Sequence, residues 1–195
     1  MQRTGRQKVF TEKLVLGAVL TALIILLQYL GQFIRFGPFS ISLVLIPIVI
    51  GAATCGIKIS TWLGFVFSIV VLMTDAAAFL AISVPGTIFT VILKGTLCGF
   101  AAGCTFELFK KQNSFVACVL SAVICPIVNT AIFLLGCRLF FFETISEWGI
   151  QAGFETVTQY MFLGLAGGNF LFELATNIVL SPAIVAVLNI VKKNK

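Results

Sequence analysis

Long apolar runs separated by short polar turns dominate this chain, and six of them follow one another along the sequence. A helix needs roughly 20 apolar residues to cross the hydrocarbon core of a bilayer, and most of the runs come close to that length or exceed it. The alternation of polar and apolar positions that a membrane barrel requires is not their pattern. We therefore predict membrane-spanning helices near residues 14–34, 41–57, 60–82, 87–109, 115–137 and 160–191.

The composition agrees with a membrane protein. Hydrophobic residues make up 59% of the 195 residues and charged residues only 10%, whereas average soluble domains have roughly half and a quarter. Thirteen basic and seven acidic residues could not cover a soluble core of this size. We expect an all-α integral membrane protein with a single transmembrane domain over residues 1–195. The first apolar run is too long for a signal peptide and lacks a cleavage pattern, so we expect it to remain in the mature protein.

The distribution of lysine and arginine between the runs predicts the orientation, because cytoplasmic loops carry an excess of these residues. With six spans, ten of the thirteen basic residues fall on one side: Arg3, Arg6, Lys8, Lys13, Lys58, Lys110, Lys111, Lys192, Lys193 and Lys195. Arg35, Lys94 and Arg138 lie at or near the other side. Both termini are therefore predicted to be cytoplasmic. The net charge of +6 then reflects topology rather than nucleic-acid binding.

The sequence lacks the residues that catalysis, metal binding and ATP hydrolysis usually require. The chain contains no histidine, which removes the commonest general base and metal ligand. Its six cysteines are scattered singly, without a C-x-x-C pair, and are interpreted as small packing residues. No G-x-x-x-x-G-K-[ST] phosphate-binding motif is present, so ATP-driven work would need a partner. We expect no metal, no cofactor and no catalytic residue.

Polar residues inside the spans are candidates for a functional site, because burying an ionisable group in lipid costs several kcal/mol. Asp75, Lys94, Asn129 and Glu173 lie 16 to 19 residues from the nearest basic anchor of their own span. At about 1.5 Å per helical residue, all four would lie roughly 24–28 Å above the cytoplasmic edge. The sequence thus predicts one polar level in the outer part of the bilayer.

The fifth and sixth runs add further polar candidates. Asn169, Glu173 and Asn177 are spaced by four and share one helical face. Thr130 accompanies Asn129 shortly after Pro126, where a proline loosens the helical backbone. Two alternatives remain open: Lys94 and Glu173 could form a purely structural pair, and Asp75 could lie in an outer loop.

Ala18 and Ala22 in the first run are four residues apart, a spacing that allows close helix contact. Together with this A-x-x-x-A pattern, the segment from Gly37 to Ala52, the IVNT of the fifth run and the N-x-x-x-E of the sixth resemble the substrate-binding S components of energy-coupling factor (ECF) vitamin transporters. The resemblance covers nearly the whole chain. It implies a six-helix protein of the bacterial plasma membrane that binds a vitamin in an outward-facing pocket.

The same resemblance implies partners and site residues. Ala18 and Ala22 would dock against a transmembrane coupling protein that is bound to two ATPases. The pantothenate-type S components are the most similar, so we expect pantothenate or a similar small hydroxylated acid as substrate. Lys94 would bind its carboxylate, and Asn129, Asn169 and Asn177 its hydroxyls and amide, with Asp75, Thr130 and Glu173 in the same pocket.

Two other classes of function are compatible with parts of the pattern. A self-sufficient secondary transporter could relay protons through Asp75 and Glu173, but no clear inverted repeat is visible and the alanine face would lack a partner. An intramembrane enzyme would need a nucleophile with its base or a clustered metal site, and the sequence offers neither.

Overall fold

A computed structural model describes residues 2–33, 35–36, 39–40 and 43–193. Within these ranges the chain is almost entirely helical, with one short antiparallel strand pair that places Arg35 opposite Ser40. The elements in chain order are α1 (Gln2–Gly31), β1 (Arg35–Phe36), β2 (Phe39–Ser40), α2 (Leu45–Thr54), α3 (Ile57–Thr74), α4 (Ala77–Leu80), α5 (Val84–Phe109), α6 (Ser114–Phe140), α7 (Phe142–Gln151), α8 (Val157–Gln159), the π-helix π1 (Tyr160–Gly167) and α9 (Gly168–Lys193). Residues 37, 38, 41 and 42 of the Gly37–Ala52 segment, and residues 34, 194 and 195, lie outside the described ranges.

Five helical segments in the described part are long and apolar enough to cross a membrane. They are Val9–Gly31, Ile57–Thr74, Val84–Phe109, Ser114–Phe140 and Val157–Ala186. They correspond to the first, third, fourth, fifth and sixth predicted spans. The all-helical membrane architecture is therefore confirmed, whereas the count of six spans is not, and the orientation of the termini stays a prediction.

The second predicted span, 41–57, corresponds to the short helix α2. Its ten residues extend about 15 Å, half of the roughly 30 Å hydrocarbon thickness. Eight of the ten are buried, and α2 packs against α3, α5, α6 and α9. Its apolar residues therefore face other helices, which explains a strongly hydrophobic run that is too short to span.

The third predicted span, 60–82, extends too far, because α3 already ends at Thr74. The chain then passes through Asp75 into the one-turn helix α4, and α5 begins at Val84. Ser83 starts α5 as its N-cap: its hydroxyl oxygen accepts a hydrogen bond of 3.3 Å from the Gly86 N–H. Pro85 in the first turn of α5 fits there because no intrahelical N–H bond is needed. A search for apolar runs does not detect such a break, because most residues on both sides of it are apolar.

Small residues bring α3 and α5 into close contact. Gly95, Gly99 and Gly103 recur every fourth residue along α5 and face Ser60 and Gly64 of α3. A methyl group added at Gly99 would collide with the backbone carbonyl of Ser60 and would press tightly against the backbone of Gly64. Helix backbones can approach this closely only where both lack bulky side chains, so the contact fixes the position of Lys94, which precedes Gly95.

Buried apolar side chains form two clusters in the described residues. The larger cluster is centred on α2, α3, α5 and α6, and includes buried Cys98, Cys118 and Cys125. The prediction that these cysteines act as packing residues is confirmed, because all six cysteines are free thiols and five are buried. The second cluster, which we call the aromatic cluster, joins α4, the end of α6, α7 and π1.

Candidate functional site

A cavity lies where the two apolar clusters meet, towards the ends of the helices at which α3 and α6 end and α5 begins. Its accessible interior measures about 80 Å³. Ligand pockets for drug-sized molecules measure roughly 300–1,000 Å³. The cavity is therefore narrower than a typical drug-sized site, and its lining rather than its volume makes it a candidate site.

Six of the seven predicted binding residues line this cavity. They come from four segments of the chain: Asp75, Lys94, Asn129, Thr130, Asn169 and Glu173. Asn177 is buried one turn beyond Glu173 and does not line it. Ala18 and Ala22 lie elsewhere, on an exposed face of α1.

Lys94 contributes the positive charge of the cavity. It is partly accessible, and its Nζ lies 5.2 Å from the centroid of the Phe133 ring and 5.9 Å from that of Phe67. Both distances lie within the roughly 6 Å range of a cation–π interaction. Two aromatic rings therefore flank the ammonium group of Lys94 at the cavity.

Glu173 and Lys94, which can carry opposite charges, both line the cavity. In the part of the chain that the structure describes, the direct ion pair joins Lys110 to Glu107 at the end of α5, not Lys94 to Glu173. The Glu173 side chain is only 4% exposed, and the Asn129 side chain lies beside its carboxylate. A closed, purely structural Lys94–Glu173 pair is therefore not the observed geometry.

Gln28 of α1 is a cavity residue that sequence reasoning missed. Its amide Nε2 donates a hydrogen bond of 2.6 Å to the Asp75 carboxylate and a longer one of 3.4 Å to the Thr74 hydroxyl. Asp75 follows the last residue of α3, yet it faces the cavity. Gln28 thereby ties α1 to the end of α3 beside the cavity.

Several polar oxygens at the cavity have no hydrogen-bond partner within the described protein. Buried atoms of this kind are Gln28 Oε1, Thr90 Oγ1, Asn129 Oδ1 and Asn169 Oδ1. An unsatisfied buried polar group costs about 1–3 kcal/mol. Such groups indicate a site built for a hydrogen-bonding ligand or for ordered water.

Phenylalanine rings supply much of the apolar wall, which sequence reasoning did not identify. Phe67 comes from α3, Phe133 from α6 and Phe170 from α9, while Phe79 and Phe141 also belong to the aromatic cluster. The Phe79 ring makes edge-to-face contacts with Phe133, Phe141 and Trp148. The cavity thus combines apolar walls with a few converging polar groups, the usual composition of a binding site.

The π-helix π1 leads directly into the polar face of α9. Leu165 and Ala166 of π1 and Asn169 of α9 line the cavity together. A π-helix adds residues to each turn, and it often occurs at functional sites. The extra residues set which side chains of the last span face the cavity.

Comparison with known proteins agrees with this geometry. The family model for the ECF transporter, substrate-specific component, matches residues 12–188. No curated protein and no solved structure matches significantly. Members of this family are non-catalytic, substrate-binding membrane subunits that work with an ECF module. The chain therefore belongs to the substrate-specific components of ECF transporters and is a multi-pass protein of the cell membrane.

Proposed function

We propose that this chain captures a vitamin or a related small molecule from outside the cell and delivers it for ATP-driven uptake by partner subunits. The observation that carries the proposal is the convergence of charged and amide side chains on one cavity, from the end of α3 and from α5, α6 and α9. Convergence of this kind inside a bundle of apolar helices is costly to maintain without a bound solute.

For the substrate we propose pantothenate or a similar small hydroxylated acid. Pantothenate carries one carboxylate, one amide and two hydroxyls. The ammonium group of Lys94, which lines the cavity, suits the carboxylate, and the oxygens of Asn129 and Asn169 that lack protein partners suit hydroxyl or N–H donors. The phenylalanine walls suit the apolar part of the molecule.

Each acidic side chain that lines the cavity has an amide neighbour. Gln28 donates to Asp75, and the Asn129 side chain lies beside Glu173. Lys94 therefore remains the cationic cavity group in the described chain with no direct ion pair. A substrate carboxylate is expected to contact it directly.

We also propose that the exposed face of α1 docks the coupling protein. Ala18 and Ala22 are exposed on this helix, next to the exposed apolar residues Val15 and Val19. Small residues four apart allow another helix to approach closely. Two ATPase subunits bound to the coupling protein would supply the energy, because this chain lacks a phosphate-binding motif.

Equilibrium binding tests the substrate proposal. The purified chain in detergent is titrated with B vitamins and their precursors, pantothenate included, by calorimetry. We expect one tight ligand whose affinity falls at least tenfold in Lys94→Ala, since a charge-assisted hydrogen bond contributes about 1.5–3 kcal/mol. Lys111→Ala, which removes an exposed lysine outside the cavity, serves as the matched control. Tight binding that is equal in both variants would contradict the role of Lys94, and no binding by a folded protein would contradict the substrate class.

A further inference from the structure

Gln28 is the residue of α1 that lines the cavity. Its side chain is 2% exposed, and the α1 residues around it are apolar. Its Oε1 atom has no hydrogen-bond partner in the described protein. The orientation of this amide decides whether the cavity meets a donor or an acceptor at this point.

The neighbouring groups allow only one orientation. The Asp75 carboxylate is an acceptor, so it requires the NH₂ side of the amide. The Thr74 hydroxyl donates its own proton to the Val70 carbonyl oxygen at 2.8 Å, and it can therefore only accept from Gln28. A reversed amide would turn its oxygen towards two acceptors and lose both hydrogen bonds. The carbonyl oxygen of Gln28, a residue that lines the cavity, consequently remains a buried acceptor without a partner in the described protein.

We propose that Gln28 is a substrate-binding residue whose carbonyl oxygen accepts a hydrogen bond from a hydroxyl or N–H group of the substrate, and that Asp75 is a positioning residue that holds this amide. The inference rests on the proposed function, since it requires a substrate in the cavity. It assigns Asp75 a task different from the direct contact that the sequence predicts.

Binding of matched ligands tests the contact. Wild type, Gln28→Met and the control Gln7→Met, an exposed glutamine of the same helix, are titrated with pantothenate and with analogues that each lack one hydroxyl. Methionine keeps the length of the side chain but removes the acceptor. We expect Gln28→Met to weaken pantothenate binding by about three- to tenfold, the contribution of one neutral hydrogen bond. For one analogue the variant should cause no further loss. An equal loss for every ligand would mean that Gln28 acts only through packing, and would overturn the proposal.

The positioning role of Asp75 has a separate readout. In Asp75→Asn the new side chain can donate as well as accept, so it no longer fixes the Gln28 amide. We expect a loss of affinity similar to that of Gln28→Met, with little further loss in the double variant, because both changes disable the same contact. Losses that add fully would show that Asp75 contacts the substrate itself, and would overturn its positioning role.

A test without a ligand separates this inference from the proposed substrate. Gln28→Cys and Thr130→Cys are treated with a small, water-soluble methanethiosulfonate, with wild type as the background for the six native cysteines. Because both positions line the cavity, both new thiols should react. If the thiol at position 130 reacts and that at position 28 does not, Gln28 does not face the cavity and the inference is wrong, whatever the vitamin panel shows. If no vitamin binds but both thiols react, the substrate proposal fails and the placement of Gln28 stands.

Discussion

Two asparagines of α9 differ in their position relative to the cavity. Asn169 and Asn177 lie two turns apart on α9, and both have a buried oxygen without a partner in the described protein. Only Asn169 lines the cavity. We expect Asn169→Leu to weaken ligand binding at least tenfold, because the ligand loses a hydrogen bond and meets an apolar group in its place. Asn177→Leu should change the affinity less than about twofold. Calorimetry with the same ligand checks both, and equal losses would contradict the difference in role.

The site could be predicted in part because, along a membrane-spanning helix, the number of residues from a basic anchor gives the depth of a side chain in the bilayer. Counting residues from basic anchors brought Asp75, Lys94, Asn129 and Glu173 to one level, and all four line the cavity. The same count reaches Gln28, which lies 15 residues beyond Lys13, or roughly 22 Å at the helical rise. It escaped notice because an uncharged amide in an apolar run is a weak signal. Asn177 was included because spacing by four predicts a shared face but not where the cavity ends.

At the scale of elements, the contact between α3 and α5 holds Lys94 in place. Gly99→Ala adds one methyl that must push against the backbone of Ser60 and Gly64, and overpacking of this kind costs about 1–3 kcal/mol. We expect a lower thermal midpoint of the detergent-solubilised protein, followed by circular dichroism. The control is Gly168→Ala, whose added methyl meets nothing within 4 Å and should leave the midpoint unchanged or higher. Equal midpoints for both variants would show that the helices can separate without cost.

Hydrophobic runs predicted the long helices better than the short ones. The fourth and fifth spans agree with α5 and α6 to within a few residues, since polar turns flank them on both sides and Asn113 caps α6 through a 2.8 Å hydrogen bond from the Phe115 N–H. The same criterion could not separate α2 from a spanning helix, because burial in a bundle and burial in lipid both select apolar residues. The π-helix before Asn169 has no sequence signature of this kind, because its residues are as apolar as those of an α-helix.

For the whole molecule, α1 has two different faces. One face carries the buried residues Leu20, Ile24 and Gln28, the last of which reaches the cavity. The opposite face exposes Ala18 and Ala22. The same helix therefore carries a residue of the proposed substrate site on one face and the proposed docking surface on the other. Substrate-binding subunits that work with an ECF module need such a second surface.

Bulky substitutions on α1 distinguish the roles of its two faces. Ala18→Trp places an indole on the exposed side of α1, where it would hold an incoming helix away without entering the cavity. We expect the variant to bind its ligand as wild type does, but to lose ATP-dependent uptake in vesicles that contain the coupling protein and its ATPases. Ala131→Trp, an equal change at an exposed position of α6, should retain both binding and uptake. Loss of ligand binding in Ala18→Trp would instead mean that this alanine packs inside the protein, and uptake that survives without ATP would favour a secondary transporter.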